Sequence, residues 1–162
     1  CISRRERSWS FDACLDSFRQ AEQFWKEKQV YLCHSWLLYP GLKEIMKPES
    51  NILQLQTLFH IVAVDFEGRE AEERIFGELE TDPRSYAEDT SLQRAARKYL
   101  LSGEKLGSGL GVWTGEEKDA NTADHIHTWI QEHTEELVNT ADYIFRHPEL
   151  FQRRSRIFSL SF

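Results

Sequence analysis

Apolar side chains recur at helical spacing near both ends of the chain. Ser10 is a favourable N-cap, and the apolar stripe that follows it predicts an amphipathic helix to about Lys28. A second stripe predicts one helix from Thr122 to Arg146, which His147-Pro148 closes. The second helix is predicted to bury Trp129, Ile130, Leu137 and Ile144 and to expose Glu132, Glu135 and Glu136.

Shorter apolar stretches in the first half of the chain have the composition of strands. Val30 to Leu38 is rich in β-forming residues and predicts a buried strand. Ile52 to Asp65 predicts a long strand, and Glu67-Gly68 can turn the chain into a second strand near Arg74 to Leu79, which makes a hairpin. Between these strands, Pro40 suits the first turn of a short helix. One face of the first strand is predicted to carry Val30, Leu32, His34 and Trp36.

Turn and capping signals divide the second half of the chain. After a loop that Asp82-Pro83 opens, Thr90 to Gln93 has the form of a capping box and predicts a helix that ends at Gly103. Leu106 to Trp113 predicts a loop leading to a short strand, and polar residues 114–120 predict a linker. The alternating tail up to Phe162 predicts a strand at a sheet edge, in this chain or in a partner.

Length and composition indicate one domain that belongs to a longer protein. The chain has 162 residues, and its hydrophobic share of 40% can fill a single core. It opens at Cys1, and its only methionine is Met46, so we expect a processed or truncated N-terminus with more of the protein upstream.

Charge, hydropathy and cysteine usage exclude several classes of protein. The net charge of −7 disfavours nucleic-acid binding, because phosphate binding needs a concentrated basic surface. No apolar run approaches the roughly 18 residues of a membrane span, and the N-terminus lacks a signal peptide's apolar core. Cys1, Cys14 and Cys33 are odd in number and lack CxxC spacing, which predicts no disulfide framework and fits the cytoplasm.

Three strings carry a resemblance to a known family: Cys33 to Pro40, Ser50 to Gln56, and Thr90 to Ala95. They resemble the GNAT-like C-terminal domain of bacterial acyltransferase-domain proteins, and the predicted order of elements is similar to the second half of the GNAT acyltransferase fold. The resemblance covers about Cys1 to Trp113. It implies an α+β fold with a mixed, mainly antiparallel sheet flanked by helices, here with an added C-terminal helix.

The resemblance also implies a division of the chain and a set of partners. Residues 1–113 would be the GNAT-like domain, 114–120 a linker, and 121–162 a helix and tail packed on the domain or on a partner. The missing N-terminal domain of the same protein would complete the site. Acyl-CoA or acetyl-CoA would be the cosubstrate, and a small molecule or peptide with an amine would be the acceptor.

The expected pyrophosphate site departs from the family pattern. GNAT enzymes carry a glycine-rich loop before the helix that here begins at Ser10, but residues 4–10 contain no glycine. A helix N-terminus still offers free N–H groups to a phosphate, and guanidinium groups add charge. The predicted cofactor-binding residues are therefore Arg4, Arg5, Arg7, Ser8 and Ser10.

Candidate catalytic residues follow from the position that the resemblance gives to the first strand. His34 would take the amine's proton, and Ser35 or Tyr39 would protonate the departing thiolate. The alternative is that His34 is a histidine packed in an apolar face. Cys33 as a covalent nucleophile is a weaker candidate, because it would need an environment that favours a thiolate.

Other features favour structural explanations. The glycines of residues 107–111 follow a predicted helix, so they indicate a flexible connection rather than a phosphate loop. No two of His125, His127 and His133 are four residues apart, so we expect no metal. Besides acyl transfer, two functions stay open: a non-catalytic ligand-binding or protein-interaction module that keeps the fold, and a domain that forms a homodimer through its last helix.

Overall fold

The chain forms a four-stranded sheet with helices on both faces. The structure, a computed structural model, describes residues 16, 29–113, 127–147 and 156–161. Within these ranges the strands are β1 (Gln29–Ser35), β2 (Phe59–Asp65), β3 (Ser108–Trp113) and β4 (Arg156–Ser161). Their order is β2-β3-β1-β4, and every neighbouring pair is antiparallel.

Helices connect the strands, and the longest described helix lies between β3 and β4. The α-helices are α1 (Asn51–Gln56), α2 (Glu70–Phe76), α3 (Ser91–Leu101) and α4 (Thr134–Arg146). The 3-10 turns cover Trp36–Leu38, Pro40–Glu44 and Pro83–Ser85. Residues 127–132 are also helical, and a turn at His133 separates them from α4. The predicted α+β class is confirmed.

The two faces of the sheet bury different partners. One face packs against the turn after β1 and the end of α1, in a cluster of Tyr31, Cys33, Leu38, Leu55, Leu58, Phe59 and Trp113. The opposite face packs against the C-terminal helices through Leu32, Leu110, Val112, Ile130, Leu137 and Ala141. A third cluster joins Tyr39 and Leu42 to α2, Tyr86, α3 and Leu106.

The glycines of β3 are part of the central sheet, so the predicted flexible connection at residues 107–111 is wrong. Every residue of β3 is buried. A Cβ at Gly109 would lie 2.7 Å from the carbonyl carbon of Leu38, and one at Gly111 would lie 3.0 Å from the Cβ of Phe59. These positions lack side chains because the turn after β1 lies directly on the sheet there.

The predicted long strand from Ile52 to Asp65 is wrong in its first half. Ser50 caps α1, since its side-chain oxygen accepts a hydrogen bond from the N–H of Ile52 at 3.3 Å. The helix then buries Leu55 in the cluster under the sheet. Only β2 remains as a strand, and its pairing with β3 shifts register between Ile61 and Ala63.

The predicted second strand of the hairpin, Arg74 to Leu79, is also wrong. This segment belongs to α2 and the chain after it. Glu70, Glu72 and Glu73 stabilise the first helical turn by their charge, and Gly77 ends the helix at φ 86°. Ala71, Ile75 and Phe76 form the buried side of α2.

Several local signals were predicted correctly. Thr90 and Gln93 form the capping box of α3, and Gly103 has φ 91° just after that helix. Pro40 begins a short 3-10 helix. The predicted strand after residue 29 is shorter than expected, because Ser35 caps a turn in which Trp36 leaves the sheet.

The structure confirms part of the C-terminal predictions, whereas Trp129 is only half-buried and the side chain of Ile144 lies outside what the structure describes. The tail strand β4 adds to the sheet edge at β1 of this chain. Ile130 and Leu137 are buried, and Glu132, Glu135 and Glu136 are exposed, as predicted. The single helix is divided by the turn at His133. Two predictions lie outside the described residues: the helix from Ser10 to Lys28 and the linker at 114–120. Of that helix only Asp16 is described, and it is helical and exposed.

Candidate active site

His34 lies on β1, on the sheet face that the C-terminal helices cover. Its backbone pairs with Leu110 of β3 on one side and with Arg156 of β4 on the other. The half-buried imidazole meets the ring of Phe145 edge to face, with 5.1 Å between centroids. His34 therefore occupies the layer between the sheet and α4.

Ser35 lies on the opposite face of the sheet. Its Cα pairs with that of Gly109, and only 6% of the residue is exposed. Its Oγ accepts a hydrogen bond from the N–H of Leu37 at 3.2 Å, which caps the turn after β1. The described contact of Ser35 is thus a structural one.

Tyr39 points into the third cluster, between the turn after β1 and α3. Its hydroxyl donates to the carbonyl oxygen of Lys105 at 2.9 Å and lies 3.3 Å from the hydroxyl of Tyr99. Burial raises the pKa of Tyr39 well above its usual value, and the hydrogen bond to Tyr99 and the charges of Tyr99 and Glu104 raise it further. Tyr39 therefore stays protonated at neutral pH, and its raised pKa makes it a weaker acid than an ordinary tyrosine.

The three candidates do not share one packing cluster. His34 faces α4, whereas Tyr39 belongs to the cluster around α2 and α3. The predicted cofactor-binding residues, Arg4, Arg5, Arg7, Ser8 and Ser10, lie outside the described residues.

Gln56 holds the backbone that follows β1, although no local signal marks it in the sequence. Its Nε2 donates to the carbonyl oxygens of Leu37 at 2.8 Å and Tyr39 at 2.9 Å. The position of Tyr39 thereby depends on a side chain from α1. Only the folded chain brings these residues together, since they are 19 and 17 positions apart.

A buried carboxylate organises the other end of the third cluster. Glu72 accepts two hydrogen bonds from Arg69, from Nε at 2.9 Å and from Nη2 at 2.8 Å. The hydroxyl of Tyr86 donates to the same carboxylate at 2.7 Å, and the Tyr86 ring stacks on Phe76 at 3.9 Å. The hydrogen bonds to Glu72 hold Arg69 in the left-handed region, at φ 45°, directly before α2 begins.

Two opposing effects set the pKa of Glu72. Burial by itself would raise it, but the hydrogen bonds from Arg69 and Tyr86 and the charge of Arg69 together lower it. The folded state therefore holds the carboxylate ionised, and this stabilisation is present above the unfolded pKa, about 4.3. It is lost as the pH falls through the lower, folded pKa.

Glu72→Gln should lower the free energy of unfolding by about 2 kcal/mol at pH 7, a figure reduced because the Arg69 side chain is 39% exposed. Urea denaturation at pH 7 and at pH 3 measures the effect, and the difference from the unsubstituted chain should shrink at pH 3. Glu73→Gln, on the exposed side of the same helix, is the control. Equal losses in both variants would contradict the role given to the network.

The comparison with protein families decides the identity of the fold. Residues 2–113 match the model of the GNAT-like C-terminal domain. The chain belongs to this family. The GNAT-like match ends where β3 ends, so α4 and β4 lie beyond it although they pack on the same sheet.

Solved structures share this GNAT-like architecture. An acyltransferase in complex with decanoyl-CoA aligns with a TM-score of 0.58 and 22% identity, over 70% of this chain and 38% of that one. An acyltransferase in complex with CoA and 10C-teicoplanin aligns with a TM-score of 0.56 and 21% identity, over 70% and 39%. The chain thus spans about two fifths of these acyltransferases. No curated protein matches the chain by sequence.

The described residues contain neither a membrane-spanning helix nor a cluster of metal ligands. No helix in the described ranges is long and apolar enough to span a bilayer. The same ranges contain no group of three or more histidine, cysteine, aspartate or glutamate side chains that could hold a metal.

Proposed function

We propose that the chain is the second half of a GNAT-like acyltransferase, which moves a short acyl group from acyl-CoA to an amine. The observation that carries this proposal is the family match over residues 2–113, together with a fold shared with acyltransferases crystallised with CoA or acyl-CoA. The rest of the same protein would supply the other half of the site, because the chain spans only about two fifths of those acyltransferases. As its compartment we propose the cytoplasm, from the cysteine pattern.

The proposed acyl transfer requires one proton to be removed from the amine and one to be given to the departing thiolate. The amine nitrogen forms a bond to the thioester carbon while the carbon–sulfur bond breaks, and coenzyme A leaves as a thiolate. We assign the removal of the amine's proton to His34, and protonation of the thiolate to Tyr39 or Ser35. The assignment of Tyr39 rests on its place directly after β1 and the turn, since the raised pKa makes its hydroxyl a weaker acid than an ordinary tyrosine.

The alternative function is a ligand-binding or interaction module without catalysis. Two observations favour it: residues 4–10 lack the glycines of the pyrophosphate loop, and the hydroxyls of Ser35 and Tyr39 make structural hydrogen bonds. In that case the chain would bind an acyl-CoA or a partner without turning it over. An amine-dependent release of CoA separates the two functions.

Replacing Arg4, Arg5 and Arg7 together with glutamine should weaken binding of decanoyl-CoA at least tenfold. Each guanidinium that contacts a phosphate contributes about 1.5–3 kcal/mol, and a tenfold change needs about 1.4 kcal/mol. Isothermal titration calorimetry on the complete protein measures the dissociation constant, with CoA as a second ligand that lacks the acyl chain.

The control for this variant removes the same amount of charge elsewhere in the sequence. Arg153, Arg154 and Arg156 form the second basic cluster, and their replacement with glutamine should leave the dissociation constant within about twofold, since they are not part of the predicted pyrophosphate site. Equal weakening by both triple variants would remove the pyrophosphate assignment. Normal binding without amine-dependent CoA release would favour the non-catalytic module.

A further inference from the structure

Histidine rings are concentrated where the C-terminal helices meet the sheet. The imidazole of His60 on β2 meets that of His127 edge to face, with 5.3 Å between centroids and 86° between planes. On the same face His34 meets Phe145, and His133 stacks on Trp129 at 4.3 Å. Histidine is the side chain whose ordinary pKa lies closest to neutral pH, so this interface combines docking with titratable groups.

His60 and His127 form the one imidazole pair described across this interface. His60 is half-buried and its backbone pairs with Val112, whereas His127 is exposed at the start of the helical segment 127–132. Burial lowers the pKa of His60, and the charge of His127 lowers it further. Among the described residues, neither imidazole forms an ion pair with a carboxylate that would offset a second positive charge.

Among the residues that the structure describes on this face of the sheet and on the helices, no compensating negative charge meets the pair. β3 contributes apolar Leu110 and Val112 to the interface, and β1 contributes His34. On the helical side, the Nδ1 of His133 lies 2.9 Å from the carbonyl oxygen of Trp129. The acidic side chains of the helices, Glu132, Glu135 and Glu136, are exposed.

We propose that the contact between His60 and His127 is a pH-sensitive latch, which keeps the C-terminal helices docked on the sheet at neutral pH and loosens them in mild acid. Two imidazolium ions in edge-to-face contact repel each other, whereas the neutral rings pack. Undocking would uncover Leu32, Leu110 and Val112, which are at most 2% exposed in the docked chain. The latch thus controls access to the sheet face that also carries His34.

The direction of the pH effect follows from proton binding. His60 binds its proton less readily in the docked state than in the undocked state, where the ordinary pKa is about 6.5. The undocked state therefore holds more protons, and undocking becomes more favourable as the pH falls below about 6.5. The undocking equilibrium should rise about tenfold for each unit by which docking lowers the pKa.

Hydrogen exchange measured by mass spectrometry tests the latch in the full chain. Exchange at pH 7.5 and pH 5.5, corrected for the intrinsic pH dependence of amide exchange, is compared in α4 and in α3. Helix α3 contains no histidine and serves as the internal reference. At pH 5.5, α4 should exchange faster by up to about tenfold, the limit for one proton with an undocked pKa of about 6.5, whereas α3 should keep its protection.

Substitutions assign the effect to the pair. His60→Gln and, separately, the exposed His127→Gln remove the titrating rings, so α4 should exchange equally at both pH values. His147→Gln is the matched control, because that ring contacts Tyr143 of its own helix, and it should keep the acid response. Three results would each overturn the proposal. The faster exchange of α4 at pH 5.5 could persist in both His60→Gln and His127→Gln, it could be absent from the unsubstituted chain, or α3 could lose protection as much as α4.

Discussion

Replacing His34 with glutamine should reduce turnover of acyl-CoA by about 10²–10⁴-fold, the usual contribution of a general base, while leaving the melting temperature nearly unchanged. Glutamine keeps the length and polarity of the side chain but cannot accept the amine's proton at neutral pH. The measurement is release of the CoA thiol from acetyl-CoA by the complete protein, with a panel of primary amines as acceptors.

The pH profile separates catalysis by His34 from its packing. A base must be neutral to work, so the unsubstituted protein should lose activity below the pKa of the histidine, and the variant's residual activity should lack that limb. His147→Gln is a suitable control, since it changes a histidine outside the proposed site. A variant that melts early while its folded fraction turns over normally would show that His34 is structural and packs against Phe145.

Gly109→Ala should cost about 3 kcal/mol of unfolding free energy, at the upper end of the usual effect of overpacking. The new Cβ would lie 2.7 Å from the carbonyl carbon of Leu38 and 3.0 Å from the Leu38 Cβ. Relief requires movement of backbone, because the turn of Trp36–Leu38 and the central strand β3 are both fixed by their hydrogen bonds. Urea denaturation followed by circular dichroism measures the loss.

Gly68→Ala controls for the general effect of losing a glycine. Its Cβ would meet only Asp65 Oδ2, at 3.6 Å, which is ordinary contact. The free energy of unfolding of this variant should change by less than about 1 kcal/mol. If Gly109→Ala were as stable as Gly68→Ala, the turn after β1 would not be pressed against β3 as described.

Sequence patterns predicted the ends of elements better than the type of the elements. The capping box at Thr90 and the helix end near Gly103 are local chemistry, and both are present. The segment from Ile52 has an alternating pattern that fits a strand, yet Ser50 caps a helix there and Leu55 reaches the core from it. Alternation over so few residues does not distinguish a strand from a helix, and the packing of Leu55 in the core favours the helix.

For the candidate site, the sequence predicts which residues lie on the first strand but not which residues they contact. The sequence predicted that His34 and Ser35 lie on β1, but alternation also places them on opposite faces of the sheet. Contacts such as Tyr39 with Lys105 or His60 with His127 join residues more than 60 positions apart. No periodicity within one element encodes such pairs, because they arise when the helices and the sheet pack together.

The pairing of β1 with β4 has a consequence for the order in which the chain folds. Residue 29 pairs with residue 161, so the sheet cannot reach its four-stranded form until residue 161 has been synthesised. Until then β1, which contains apolar Leu32, presents an unpaired edge of the kind that favours association with other chains. Closing so long a loop is also slow, so β4 should be among the last elements to gain protection during refolding.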